Sequence, residues 1–199
     1  MSGPTDVTPP PGKLADIVTY LEMRARPLRP PVPVPAGKLA LMRAERCTVS
    51  FYRYLYGTVG APWLWFERLL WSEAKLAALI EKPEVEIFVL YVGGVPAGYY
   101  ELDRSDAANI ELSYFGLMPE FIDRGYGAYL LRAAVDAAWQ HSPQRLWVHT
   151  CTYDHPRALG VYQRAGFVVY RRDPVVFDDP RLIGAVPRDY HHPKLPPLE

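Results

Sequence analysis

Apolar residues along this chain follow two rhythms. Over residues 16–23, Ile17, Thr19, Leu21 and Met23 fall on one side, which predicts a strand. Residues 39–43 (Leu-Ala-Leu-Met-Arg) predict a second. From 47 to 82 the spacing turns helical: Val49, Tyr52, Leu55 and Tyr56 share one face, and Gly57-Thr-Val-Gly-Ala-Pro62 interrupts it. The helical pattern resumes at Trp63, and Ser72 is placed as an N-cap ahead of Leu76, Leu79 and Ile80. Residues 85–92 and 95–102 read as strands joined by a Gly93-Gly94 hairpin turn. Pro96 cannot donate to a ladder and so does not suit a sheet centre. A polar turn at 103–109 precedes a strand at 110–118. Small or apolar residues at 127, 130, 131, 134, 135 and 138 then mark one face of a helix. Residues 145–152 and 167–170 are further strands. Between them Asp154-His155-Pro156 signals a helix start, Ala158, Leu159, Tyr162 and Ala165 form an apolar face, and Gly166 is the C-cap. The order β-β-α-α-β-β-β-α-β-α-β predicts an α/β (α+β) fold: a mixed, mostly antiparallel central sheet with helices on both faces.

At 199 residues and 49% hydrophobic content the chain can fill one domain. Of its 21 prolines, nine lie in residues 1–35 and six after 173. The uneven placement divides the chain into an N-terminal extension (1–37) with one strand and a proline-rich arm, a folded core (38–173), and a proline-rich tail (174–199). Residues 1–13 read as a flexible lead. A formal net charge of zero gives no reason to expect a nucleic-acid partner. Two cysteines, Cys47 and Cys151, make neither a disulfide framework nor a zinc motif. No signal pattern opens the chain, and its longest strongly apolar run, 87–92, is too short to span a membrane. The expectation is a soluble cytoplasmic protein.

The stretch from Met118 to Leu131 concentrates the candidate chemistry. A strand ends at Pro119, Gly125 and Gly127 follow, and a buried helix begins. The first N–H groups of a helix have no partner within it, and its dipole adds to their attraction for a phosphate. Glycines let backbone approach such a ligand without a Cβ in the way. No Gly-Lys-Ser/Thr ends the stretch, so it is not a Walker loop, and its glycines do not make G-x-G-x-x-G. By itself it is equally an ordinary βα turn.

The element order and three local matches resemble the GNAT superfamily of acyl-CoA-dependent N-acyltransferases. Ile122-Asp123-Arg124-Gly125-Tyr126-Gly127 is similar to that family's Gln/Arg-x-x-Gly-x-Gly/Ala loop, although Ile122 replaces the leading Gln/Arg and Asp123 stands where a small residue is frequent. Ala158-Leu-Gly-Val-Tyr162-Gln-Arg-Ala-Gly166-Phe167 is similar to its A-x-x-x-Y-x-x-x-G-F helix end, and Gly94-x-Pro96-x-Gly98 to its hairpin. The resemblance covers roughly 38–172. It implies acetyl-CoA as co-substrate, no metal, and direct transfer to a primary amine of a small molecule or peptide. It also implies that the diphosphate rests on 122–128 (Ile122, Asp123, Arg124, Gly125, Tyr126, Gly127, Ala128), with the Asp123 carboxylate turned away and Arg124 compensating. Backbone near Phe115 and Leu117 would pair with pantetheine between two splayed strands, and His155 would either contact the cofactor or cap its helix. Tyr162 matches the general acid, its other reading being a core tyrosine. Glu111 matches a general base used by some members, its other reading being a half-exposed strand glutamate; Glu101 and Glu22 are lesser candidates.

The acceptor is not encoded in a motif. Trp63 and Trp65 beside the 57–62 break, with Tyr20, Glu22 and Glu101, would suit a cationic or aromatic amine; the tryptophans equally suit core packing. His149 and Cys151 share one side of a strand, but residues two apart point outward in parallel, which speaks against a nucleophilic pair. His191-His192 lacks further ligands at metal spacing and reads as solvated. A non-catalytic acyl-CoA-binding module is the competing function. The extra strand and proline arm leave a homodimer open.

Overall fold

The structure, a computed structural model, describes residues 8–28, 30 and 33–198; residues 1–7 of the lead and parts of the proline-rich connection lie outside them. The strands are β1 (Lys13–Met23), β2 (Leu39–Arg43), β3 (Val85–Val92), β4 (Val95–Asp103), β5 (Asn109–Leu117), β6 (Arg145–Thr150) and β7 (Val168–Asp178). The helices are α1 (Val49–Gly60), α2 (Glu73–Ile80), α3 (Tyr126–Gln140) and α4 (Ala158–Ala165). The fold is mixed α/β, with the strands in one seven-stranded sheet of order β2-β3-β4-β5-β6-β1-β7. All neighbours are antiparallel except β5 and β6.

Local chemistry accounts for several boundaries. Gly93 and Gly94 turn β3 into β4 with φ of 62° and 93°, a combination that suits a two-residue hairpin. Ser72 caps α2 by accepting from the Lys75 N–H at 3.2 Å. Gly166 ends α4 in the left-handed region at φ 106°. Each face of the sheet buries one helix pair. Tyr52, Leu55 and Val59 of α1 and Leu76 of α2 pack on Ile87, Val89 and Tyr99. On the other face Leu130, Leu131, Ala134, Val135 and Ala138 of α3, with Tyr162 of α4, cover Tyr100, Leu102, Ile110, Leu146 and Val148. Burying a Leu or Val side chain contributes about 1.5–3 kcal/mol, so α3 is held to the sheet along its length and its first turn is fixed in place.

Three features position the site. The ladder between β5 and β6 runs only from Asn109↔Arg145 to Glu111↔Trp147, although both strands continue beyond it. The two strands therefore part. Second, β1 fills the place between β6 and β7, so the sheet takes in residues ahead of 38 and, through β7, past 173. Third, a smaller core of Leu14, Leu64 and Tyr153, with Phe66, Phe177, Tyr190 and Leu195 against it, joins the start of β1 to the end of the chain. His192, expected to be solvated, is buried there with its ring 5.6 Å from that of Tyr153.

Candidate functional site

Where β5 and β6 part lies a cavity of about 1050 Å³. One end is the start of α3. Gly125 is the N-cap residue, at φ 83°, and no side chain caps the helix. That leaves the first-turn N–H groups open to a ligand, and only glycine takes such a φ without strain. A Cβ on Gly127 would meet only Leu117, at an ordinary 3.6 Å. Ile122, Asp123, Gly125, Gly127 and Ala128 line this end. Arg124 and Tyr126 do not: Arg124 is exposed with its guanidinium 6.0 Å from the Phe121 ring centroid, and Tyr126 is buried edge-on to Phe121. The Asp123 carboxylate is ion-paired with Arg157, so Arg157 rather than Arg124 supplies its counter-charge. Arg132 and Arg164 also line this end, which makes it the basic end of the cavity.

Midway, Tyr162 packs edge-on to Phe115 and Phe167, with centroids 6.0 Å from each. Burial pushes its phenol well above the ordinary 10, with Asp154 and Cys151 adding to the shift. Its hydroxyl has no hydrogen-bond partner among the described residues. Phe115 and Leu117 of β5 line the same stretch, where β5 has lost its ladder to β6. His155 lines it too; its ring meets that of Trp63 at 4.9 Å, and its Nδ1 accepts from the Arg157 N–H at 3.0 Å. Burial and Arg157 hold the His155 pKa below its usual value.

The far end is aromatic and acidic, built from Trp63, Trp65, Phe66, Glu67 and Tyr114. The helical pattern expected to resume at Trp63 does not form. α1 runs through the expected break to Gly60, and Ala61–Trp63 and Glu67–Leu70 are short 3₁₀ turns flanking Leu64 at φ 59°. Nor do the glycines loosen the segment. A Cβ on Gly60 would fall 2.5 Å from the Trp65 Cβ, so glycine here permits close packing. Trp65 donates from Nε1 to Asp154 at 3.2 Å and packs against Tyr56 and Tyr114. The segment is further held by Arg68, which pairs in bidentate fashion with Glu101 at 2.7 and 2.9 Å.

Glu101 is therefore not at the cavity. It is fully buried, with its oxygens taken by Arg68 and the Tyr52 hydroxyl. Burial raises its pKa and Arg68 opposes the rise. Glu22 is also elsewhere, engaged by Arg24 and Arg145. Tyr20 does not line the cavity, but its ring lies 6.0 Å from that of His149, which does. Glu111, likewise outside the lining, places Oε1 3.3 Å from His149 Nδ1.

The sequence assigned no site role to several residues in or beside this cavity. Asp154 was expected to start α4, yet that helix begins at Ala158 with no side-chain cap. Asp154 instead accepts from Thr150, the Cys151 N–H and Trp65, joining β6 to the aromatic end. Glu67 sat inside a helical pattern. Tyr190 closes the segment from the tail, accepting from the Leu64 N–H at 3.1 Å and donating to the Ala61 carbonyl at 2.6 Å.

The start of α3 thus opens on a cleft between two parting strands. Residues 51–167 match the Acetyltransferase (GNAT) family model, and the chain belongs to that family. Comparison with curated protein sequences finds no significant match. Among solved structures, a GCN5-related N-acetyltransferase from Sphaerobacter thermophilus is similar at 16% identity and TM-score 0.56, over 81% of this chain and 50% of that one. A GNAT-family protein from Novosphingobium aromaticivorans is similar at 17% identity and TM-score 0.57, over 88% and 72%. Spermidine N-acetyltransferase from Vibrio cholerae, in complex with CoA and spermine, is similar at 20% identity and TM-score 0.54, over 69% and 95%. The chain spans 64%, 50% and 52% of three such neighbours' lengths. At these identities the likeness is one of fold. Among the described residues no helix is long and apolar enough to cross a membrane, and no three His, Cys, Asp or Glu side chains gather as metal ligands would.

Proposed function

We propose that this protein transfers an acetyl group from acetyl-CoA to a primary amine of a small molecule or peptide, without a covalent enzyme intermediate. The observation that carries the reading is the polarity of a single cavity. Its basic end holds the uncapped start of α3 and three arginines, and its other end is aromatic and acidic. Backbone N–H groups at a helix start and arginines both favour a diphosphate. The unpaired edge of β5 beyond Glu111 suits the amide-bearing arm of CoA, which can add to it as a strand would. The aromatic walls with Glu67 suit an acceptor that arrives as an ammonium ion.

Bound acetyl-CoA would supply an activated acyl carbonyl and a thiolate leaving group. Burial pushes the Tyr162 phenol above its ordinary range, which favours the protonated form. It therefore serves as a hydrogen-bond donor to the sulfur as negative charge develops there, with the proton following. That the related Vibrio cholerae enzyme is named for spermidine, itself a cationic amine, agrees with this reading.

The test is calorimetry with CoA, NAD and ATP, followed by thiol release from acetyl-CoA across an amine and peptide panel. CoA should bind in preference to the other two, and at least one cationic amine should release thiol. Tyr162→Phe should keep CoA affinity and lose on the order of 10²–10⁴ in turnover. CoA binding with no amine turned over would favour the binding-module reading.

A further inference from the structure

The proposed reaction needs a base, because an ammonium ion cannot attack a thioester. Glu111 was the carboxylate expected to serve, but the structure gives it a different surrounding. Glu111 does not line the cavity, and its Oε1 lies 3.3 Å from Nδ1 of His149 on the neighbouring strand. His149 does line the cavity, two residues past the point where the β5–β6 ladder ends. Its ring is held between aromatic neighbours, with Tyr20 of β1 at 6.0 Å and Trp147 of β6 at 6.2 Å. With Nδ1 engaged by a carboxylate, Nε2 is the nitrogen left free to take a proton.

We propose that His149 is the general base of the acetyl transfer and that Glu111 is its positioning residue. The inference rests on the acetyltransferase reading above. His149 takes one proton from the acceptor's ammonium group. The neutral nitrogen forms its bond to the acyl carbon as the C–S bond breaks. Tyr162 gives its proton to the departing sulfur and takes the nitrogen's second proton in its place. His149, with its side chain 43% exposed, then returns its proton to water. His149, Asp154 and Tyr162 all line the same cavity.

The groups facing His149 set its titration. Burial works to lower its pKa, but Glu111 on β5, Asp154 after β6 and Glu67 in the second 3₁₀ turn together outweigh it, and the net direction is upward. Cys151, just past β6, has its thiol pushed up by burial; on β1 the neighbour is Tyr20, with Arg171 over its ring at 4.1 Å. A base works only when neutral, so the acid limb of kcat/KM should lie above the ordinary histidine value of about 6.5.

The experiment compares wild type, His149→Gln and Glu111→Gln with an amine shown to be turned over by wild type, alongside CoA calorimetry. His149→Gln should bind CoA normally, lose on the order of 10²–10⁴ in kcat and lose the acid limb. It should lose far less with an arylamine, which is neutral at the assay pH. Glu111→Gln should keep a limb but move it to lower pH, since the partner that raises the pKa is gone. NMR titration of the His149 ring in the two folded proteins should show the same downward move. If His149→Gln keeps both turnover and limb while Glu111→Gln loses both, Glu111 is the base and the inference is overturned. Should wild type turn over no amine at all, it is the acetyltransferase reading that fails, and this inference with it.

Discussion

Asp123 sits at φ 65° two residues before Gly125, in a backbone region that Asp and Asn tolerate better than other non-glycine residues. It lines the basic end of the cavity, and its carboxylate holds Arg157, which also lines it. A diphosphate arriving there meets one misplaced negative charge and two arginines already engaged, Arg157 by Asp123 and Arg132 by Asp136. Asp123→Asn keeps the backbone conformation while removing the negative charge and releasing Arg157. Exposed charge contacts of this kind are each worth roughly 0.2–1 kcal/mol, so with two of them changed calorimetry should show CoA binding tighter by about two- to thirty-fold. The gain should shrink as salt is raised. Unchanged affinity at low salt would mean that the diphosphate lies elsewhere. The departure from the family pattern at Asp123 was visible in the sequence, but its partner was not. Arg157 lies 34 residues away, and nothing in the spacing joins the two.

The elements themselves were largely legible, because strands and helices announce themselves through local periodicity. The segment at 61–71 was not. Trp63, Leu64, Phe66, Leu69 and Leu70 give a helical reading, yet Leu64 is left-handed and the chain folds into two 3₁₀ turns. Tertiary contacts decide the matter: Gly60 admits Trp65, and Arg68 reaches Glu101 on β4. The same pair explains why Glu101 was mistaken for an acceptor residue. A glutamate in an apolar strand asks for a partner, and the partner came from a segment read as helix. Breaking a buried pair strands a charge, at about 3–5 kcal/mol. Arg68→Ala should therefore lower the urea midpoint by a corresponding amount and loosen the aromatic end. A loss below about 1 kcal/mol would show that the pair does not hold the segment. His149 and Glu111 were unreadable as a pair for a related reason, since the register that brings β6 to β5 lies in neither strand.

At the scale of the molecule, the two proline-rich ends are built into the site. The tail brings Tyr190 to Leu64 and Ala61, and Ile183 to the cavity wall. Tyr190→Phe removes a donor and an acceptor from the aromatic end while leaving the α3 cradle untouched. The acceptor KM should rise several-fold and CoA affinity should stay the same; equal changes in both would mean that the tail supports the fold as a whole. The place of β1 has a consequence in time. These 11 residues leave the ribosome about 120 residues before β6 and about 145 before β7, the two strands it must join. At roughly 5–20 residues per second, the wait is on the order of ten seconds. Throughout it, Leu21 and Met23, fully covered in the finished sheet, have no strand to shelter them, and late pairing between such distant segments is slow. The nascent chain thus carries an open strand edge until β6 is made, and β7 has no seat until that earlier strand takes its own.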